Sequence, residues 1–107
     1  MASTLIDLSP QDVQTQMKAG QAIVVDVREP AEYEDERVPG ALLLPLSLFN
    51  ASQFPTLSGT RIILMCGVGQ RSAAAAEKLF AAGHETAYHL KGGLQAWKDA
   101  DLITQIY

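Results

Sequence analysis

Short apolar runs alternate along this chain with stretches of helical periodicity. Ala22-Ile23-Val24-Val25-Asp26-Val27 is nearly all apolar and β-branched, the pattern of a strand covered on both faces. Arg61 to Met65 is a second such run and Thr86 to Leu90 a third. Thr4-Leu5-Ile6 and Ala41 to Leu44, the latter ended by Pro45, are shorter candidate strands. Between them lie helices with recognisable ends. Ser9 can cap, Pro10 suits a first turn, and Asp12 stands where a capping-box acid would. That helix runs through Val13 and Met17 and stops at Gly20. Pro30 opens a short helix containing Tyr33, and Val38-Pro39-Gly40 is a turn. Ser47 to Ser52 forms one helical turn, and Pro55 to Gly59 is loop. From about Arg71 to Ala82, the apolar residues Ala75, Ala76, Leu79 and Phe80 fall at helical spacing before Gly83. After Gly92-Gly93, a last helix covers Leu94 to about Lys98 and carries Trp97. Alternating strands and helices predict an α/β domain of parallel strands joined by crossover helices. In such sheets ligands bind outside the carboxyl ends of the strands.

One junction carries chemistry: Met65-Cys66-Gly67-Val68-Gly69-Gln70-Arg71-Ser72. The lone cysteine follows a buried strand, two glycines let the backbone curl, and a helix then begins. Free N–H groups therefore point back into the curl. A helix N-terminus favours an anion by about 0.3–1 kcal/mol, up to about 2 in good sites. A hydrogen bond to a charged group contributes about 1.5–3 kcal/mol. Several loop amides together should outweigh the dipole, so the Cys66 thiol is expected to titrate low, chiefly because of those amides. A single cysteine after an apolar strand is often an inert buried residue; the glycines, the arginine and the helix start favour a reactive thiolate.

Composition narrows the partners. The 107 residues allow one domain, 1–107, with a core over about residues 4–99 and a tail over about 100–107. A net charge of −4 without a basic block argues against nucleic acid. The sequence has no apolar run long enough to span a membrane and no signal-like start, and one cysteine forms no internal disulfide. A reducing cytoplasm is the expected location. One Cys and two separated His do not make metal-ligand spacing, and a cysteine nucleophile requires no cofactor.

Cys66, Gly69, Arg71 and Ser72 fit the loop pattern Cys-x-x-Gly-x-Arg-Ser, and here the chain resembles single-domain rhodaneses, which are sulfurtransferases. Val25 to Tyr33, followed by Val38-Pro39-Gly40-Ala41, resembles the early signature of that family, and Leu90 to Trp97 its late one. The likeness runs from about Ile6 to Trp97. Glu36-Arg37 departs from it, standing where the family usually has Gly-His. The resemblance implies a single rhodanese-like domain with a five-stranded parallel sheet and helices on both faces. It implies that Cys66 cycles between thiolate and persulfide. Sulfane sulfur would arrive from a small donor such as thiosulfate or a persulfide. It would leave to cyanide or a thiol, including a protein cysteine. Backbone amides from Gly67 through Val68, Gly69 and Gln70 to Arg71 would cradle the outer sulfur.

Other residues have competing readings. Arg71 either holds the oxyanion end of a donor or pairs with a surface carboxylate. Arg28 could reach the same cleft, although a salt bridge is at least as good an explanation. Asp26 reads as structural, Gln70 as a free loop position, and Val68 as an apolar contact at the mouth. His84 reads as packed or solvated, and His89 as a partly buried structural residue, which argues against a Cys–His general base. Glu32, Glu34, Asp35 and Glu36 read as a solvated face. A small phosphatase is the rival enzyme, but its pattern, Cys-x5-Arg, is one residue longer than the interval from Cys66 to Arg71. A catalytically silent interaction module is the rival outside enzymes. A thioredoxin-like role lacks a second cysteine.

Overall fold

The computed structural model describes residues 2–106. Its centre is a parallel five-stranded sheet of β1 (Thr4–Leu8), β2 (Ala22–Asp26), β4 (Leu42–Leu43), β5 (Arg61–Met65) and β6 (Thr86–Leu90). The spatial order is β1-β6-β5-β2-β4. The remaining elements are α1 (Pro10–Lys18), α2 (Pro30–Asp35), β3 (Glu36–Arg37), α3 (Gln70–Ala81), α4 (Gly93–Asp99) and β7 (Gln105–Ile106).

Alternation along the strands sorts the core into two layers, one on each side of the sheet. Val24, Ile63 and Met65 pack with Val13 of α1 and with Leu94 and Trp97 of α4. Val25, Leu64, Ala87 and Cys66 pack with Ala75, Ala76 and Leu79 of α3. Both faces of the sheet are thus covered by helices, which is why the central strands read as continuous apolar runs.

Local signals hold where their physics is local. Ser9 accepts a hydrogen bond from the Asp12 amide at 3.1 Å and caps α1. Two expected elements come out differently. The segment after Pro45 is not one helical turn over Ser47 to Ser52 but two short 3-10 turns, Leu46–Leu48 and Ala51–Gln53. Asn50 separates them in extended backbone and caps the second through its side chain. The third strand is also shorter than Ala41 to Leu44, because only Leu42–Leu43 pair with β2.

The departure at Glu36-Arg37 has a structural counterpart. These residues form β3, antiparallel to β7 in the tail. The Glu36 carboxylate accepts from Lys98 Nζ at 2.9 Å and Thr104 Oγ1 at 2.6 Å. The Thr104 hydrogen bond, then that of Lys98, holds the carboxyl below its ordinary value.

The carboxyl ends of β2 and β5 lie side by side, with Asp26 opposite Met65. From β2 the chain moves outward to β4, and from β5 it moves the other way to β6. The crevice where the two directions part is the usual place for a ligand in this architecture. Cys66 is the first residue beyond β5 at that point.

Candidate active site

The loop between β5 and α3 is built by close backbone packing. Gly69 adopts φ +105° at the N-terminus of α3, a conformation that side chains with a Cβ avoid. That turn brings its amide to 3.1 Å from Cys66 Sγ. From the other side the start of α4 closes on the loop. The Leu94 amide donates to the Cys66 carbonyl at 2.8 Å and the Gln95 amide to the Gly67 carbonyl at 3.0 Å. Gly93 makes the approach possible, since a Cβ there would lie 2.3 Å from the Cys66 carbonyl oxygen. The loop carbonyls are therefore held from outside, and its amides turn inward.

Cys66 is only 1% exposed. Burial is the largest single influence on its thiol and pushes it up. The Ser72 amide and hydroxyl and the Gly69 and Val68 amides act against burial, and together they leave the thiol below its ordinary value. The thiol is lowered as expected, but the order of its donors differs: Ser72, in the first turn of α3, contributes most through its amide and its hydroxyl 3.6 Å from Sγ, and the loop amides of Gly69 and Val68 come after it.

Arg71 pairs with a carboxylate, the second of its two anticipated readings. Its Nη1 and Nη2 meet Glu32 Oε1 at 2.6 Å and Oε2 at 2.9 Å. The same guanidinium lies over the loop, 3.1 Å from where a Gly67 Cβ would stand. Glu32 is therefore not part of a solvated face. From α2 it fixes the arginine beside the cysteine, and Arg71 in turn holds its carboxyl down at about 2. Both side chains are more than a third exposed, so the pair contributes only about 0.2–1 kcal/mol after solvent screening. Because the Glu32 pKa is depressed in the folded state, this contribution is present above the ordinary 4.5 and lost as pH falls towards about 2. Glu32→Ala should lower stability by no more than about 1 kcal/mol at neutral pH and by less near pH 2, where the carboxyl is half protonated; urea unfolding at the two pH values measures the difference.

Asp26 and Arg28 pair with each other, as expected of both. Asp26 is fully buried and accepts from the Arg28 amide at 2.9 Å and from its Nε and Nη2. Arg28 Nη2 also reaches the Glu36 carbonyl at 2.6 Å. Val68 is exposed at the loop tip, and Gln70 is exposed at the start of α3. His84 packs edge-on against Phe54. Among the described residues no cluster of His, Cys, Asp and Glu is placed to hold a metal ion. No helix there is long and apolar enough to cross a membrane.

His89 has partners that the sequence reading did not anticipate. It is buried, as anticipated, but it is not detached from the site. Its Nδ1 is 2.9 Å from Ser72 Oγ and its Nε2 is 2.6 Å from Asp7 Oδ1. An alternating strand pattern assigns it a face of the sheet but not Ser72 as a partner. Asp7 carried no sequence signal at all.

Comparison with known proteins agrees with this fold. A family model described as a rhodanese-like domain matches residues 9–100. An uncharacterised Synechocystis protein, slr1261, is 42% identical over 94% of the chain. The probable adenylyltransferase/sulfurtransferase MoeZ of Mycobacterium tuberculosis is 34% identical over 84% of it. The chain spans 56% of the length of the first and 24% of the second. Among solved structures, thiosulfate sulfurtransferase from Pseudomonas aeruginosa superposes with a TM-score of 0.79 at 27% identity. That match covers 95% of this chain and 20% of the other. A Rhodopseudomonas palustris protein described as a possible tyrosine phosphatase also superposes at 0.79, with 26% identity over 94% of this chain and 85% of the other. A rhodanese-related protein from Thermoplasma volcanium shares the fold over 95% of this chain and 99% of its own, with a TM-score of 0.78 at 24% identity.

Proposed function

The chain belongs to the rhodanese-like family, and from that premise we propose that it is a sulfurtransferase working through a Cys66 persulfide. The observation that carries the proposal is the buried thiol set 3.1 Å from the Gly69 amide, with its titration lowered by donors of Ser72, Gly69 and Val68. Such a thiolate is a ready nucleophile.

The Cys66 thiolate attacks the outer sulfur of a sulfane donor. A bond forms between Cys66 Sγ and that sulfur, and the donor's own sulfur–sulfur bond breaks. With thiosulfate, the electron pair leaves on sulfite. Cys66–S–S⁻ remains, its outer sulfur taking the place that the loop amides face. Cyanide or an acceptor thiolate then takes the outer sulfur as thiocyanate or a new persulfide, and the Cys66 thiolate returns. Two half-reactions sharing one covalent intermediate give ping-pong kinetics. Cys66 is the chain's sole cysteine, so the acceptor is external. A protein cysteine is one such acceptor, and a reducing compartment such as the cytoplasm keeps Cys66 available. Arg71 has N–H donors beyond the two engaged by Glu32, and these suit the oxyanion end of a donor.

A phosphatase is the competing chemistry, and one structural neighbour is itself described as a possible tyrosine phosphatase. Four residues separate Cys66 from Arg71, and a loop this short closes on a single sulfur more readily than on a phosphate. Intact-mass measurement after exposure to thiosulfate should show one added sulfur atom, removed by cyanide. No gain with any sulfane donor, alongside turnover of an aryl phosphate, would replace this reading with the phosphatase.

A further inference from the structure

The buried thiol is the first member of a hydrogen-bonded row that ends at the surface. Cys66 Sγ is 3.6 Å from Ser72 Oγ, Ser72 Oγ is 2.9 Å from His89 Nδ1, and His89 Nε2 is 2.6 Å from Asp7 Oδ1. Cys66, Ser72 and His89 are buried, whereas the Asp7 side chain is 51% exposed. Three secondary-structure elements and the loop after β5 contribute one residue each. β6 is paired with β1 so that Asp7 stands directly across from His89.

The chemistry of each group fixes the direction of the row. A carboxylate only accepts, so His89 Nε2 carries a hydrogen. In a neutral ring Nδ1 is then an acceptor, and the partner beside it is the Ser72 hydroxyl. The serine oxygen in turn accepts from the thiol. Every donor therefore points outward: S–H to Oγ, O–H to Nδ1, Nε2–H to Asp7. The Gly69 carbonyl, 3.2 Å from Ser72 Oγ, is the other acceptor within reach of that hydroxyl.

We propose that Asp7, His89 and Ser72 form a proton relay that ionises Cys66. The S–H bond breaks as its proton passes to Ser72 Oγ, and the serine's own proton passes to His89 Nδ1. The products are the Cys66 thiolate and a His89 imidazolium paired with Asp7, with no atom or electron left over. The row then points inward, Nδ1–H to Oγ and O–H to the thiolate. Ser72 touches the reacting sulfur, while His89 and Asp7 are positioning residues that act through its proton.

No other charge described around the ring competes for this role. From β1 it faces Asp7, and from α3 it faces Ser72. On the loop after β5 the titratable neighbour is Cys66, reached through Ser72. Elsewhere on these elements, Arg61 of β5 stacks on Tyr88 at 4.1 Å, and Arg71 of α3 is paired with Glu32. Glu77 and Lys78 of α3 are exposed.

The relay deepens the sulfurtransferase reading and rests on the same nucleophile, but its test needs no sulfur donor. The rate of iodoacetamide alkylation against pH reports thiolate directly. His89→Gln keeps an acceptor for the Ser72 hydroxyl but cannot take up a proton. It should move the profile to higher pH and slow alkylation about tenfold at neutral pH, the equivalent of one pKa unit. Asp7→Asn keeps an acceptor for Nε2–H but removes the countercharge, and should shift the profile the same way by a smaller amount. In wild type, the His89 ring-nitrogen NMR shifts should follow the ionisation of Cys66, and that inflection should be absent in Cys66→Ala. Alkylation profiles of the two relay variants that superpose on wild type would overturn the relay. So would ring shifts that titrate identically with and without the thiol, a readout that stands even if His89→Gln does not fold. A normal relay in a protein that gains no sulfur from any donor would sink only the sulfurtransferase reading.

Discussion

Cys66→Ser should leave a folded protein that transfers no sulfur. The side chain sits between a strand end and α3 with 1% of its surface exposed, so the substitution must satisfy the same space and the same donors. A hydroxyl does both. It is slightly smaller than a thiol, and its oxygen accepts from the Gly69 amide that now meets Sγ at 3.1 Å. The expected stability change is about 1 kcal/mol or less. Chemistry is lost for a separate reason. The surrounding donors of Ser72, Gly69 and Val68 lower the titration of a thiol, but an alcohol starts far too high for them to ionise it. A serine also forms no persulfide. Thiocyanate formation from thiosulfate and cyanide should drop at least about 10³-fold, the scale seen when a covalent nucleophile is removed. The intact mass should show no sulfur added. No second thiol exists to take over. A serine variant that retained measurable transfer would remove Cys66 from the mechanism, whatever its titration.

The sequence displayed most clearly those features whose cause is local. Arg61–Met65 and Thr86–Leu90 have the bounds expected from their apolar runs, because a strand covered on both faces has few polar residues to blur it. Ser9 caps α1 through a partner three residues away. The cysteine loop was legible for the same reason, since Gly69 and the start of α3 lie within a few residues of Cys66.

What was not legible depends on partners distant in the chain. Glu32 lies 39 residues from Arg71. In sequence it is one acid among four in the stretch from Glu32 to Glu36, and only the packing of α2 against the loop singles it out. His89 is 17 residues from Ser72 and 82 from Asp7. Pairing between β1 and β6, the first and last strands of the sheet in chain order, brings Asp7 to His89, and α3 carries Ser72 to the other side of the ring. The two-residue β7 shows no strand pattern, and its place against β3 accompanies the bonds of Lys98 and Thr104 to Glu36. The outer partners of the site, Asp7, Glu32 and His89, are thus distant in the chain, while its nucleophile is announced by its immediate neighbours.

Gly93→Ala should destabilise the fold more than Cys66→Ser or Glu32→Ala, and it should disable the site without touching a reactive group. Gly93 has φ +62°, where an L residue costs about 1–2 kcal/mol. Its added Cβ would also stand 2.3 Å from the Cys66 carbonyl oxygen and 2.7 Å from the carbonyl carbon and oxygen of Gly67. Those neighbours are backbone, so no side chain can swing aside to relieve the contact. Overpacking of this kind costs about 1–3 kcal/mol, and with the strain the total is about 2–5 kcal/mol, a large part of a typical domain's stability. Relief requires α4 to move away from the loop. That stretches the bonds from the Leu94 and Gln95 amides to the Cys66 and Gly67 carbonyls, which hold the loop with its amides turned inward. Gly20→Ala is the control. It has a similar φ of +71° with nothing within 4 Å of the new Cβ, so it carries the strain without the collision. Urea unfolding should show a loss for Gly93→Ala exceeding that for Gly20→Ala by about 1–3 kcal/mol. Alkylation of Cys66 at neutral pH should slow only in the Gly93 variant. Equal losses in the two variants would mean that the contact between α4 and the loop does not hold the active site in shape.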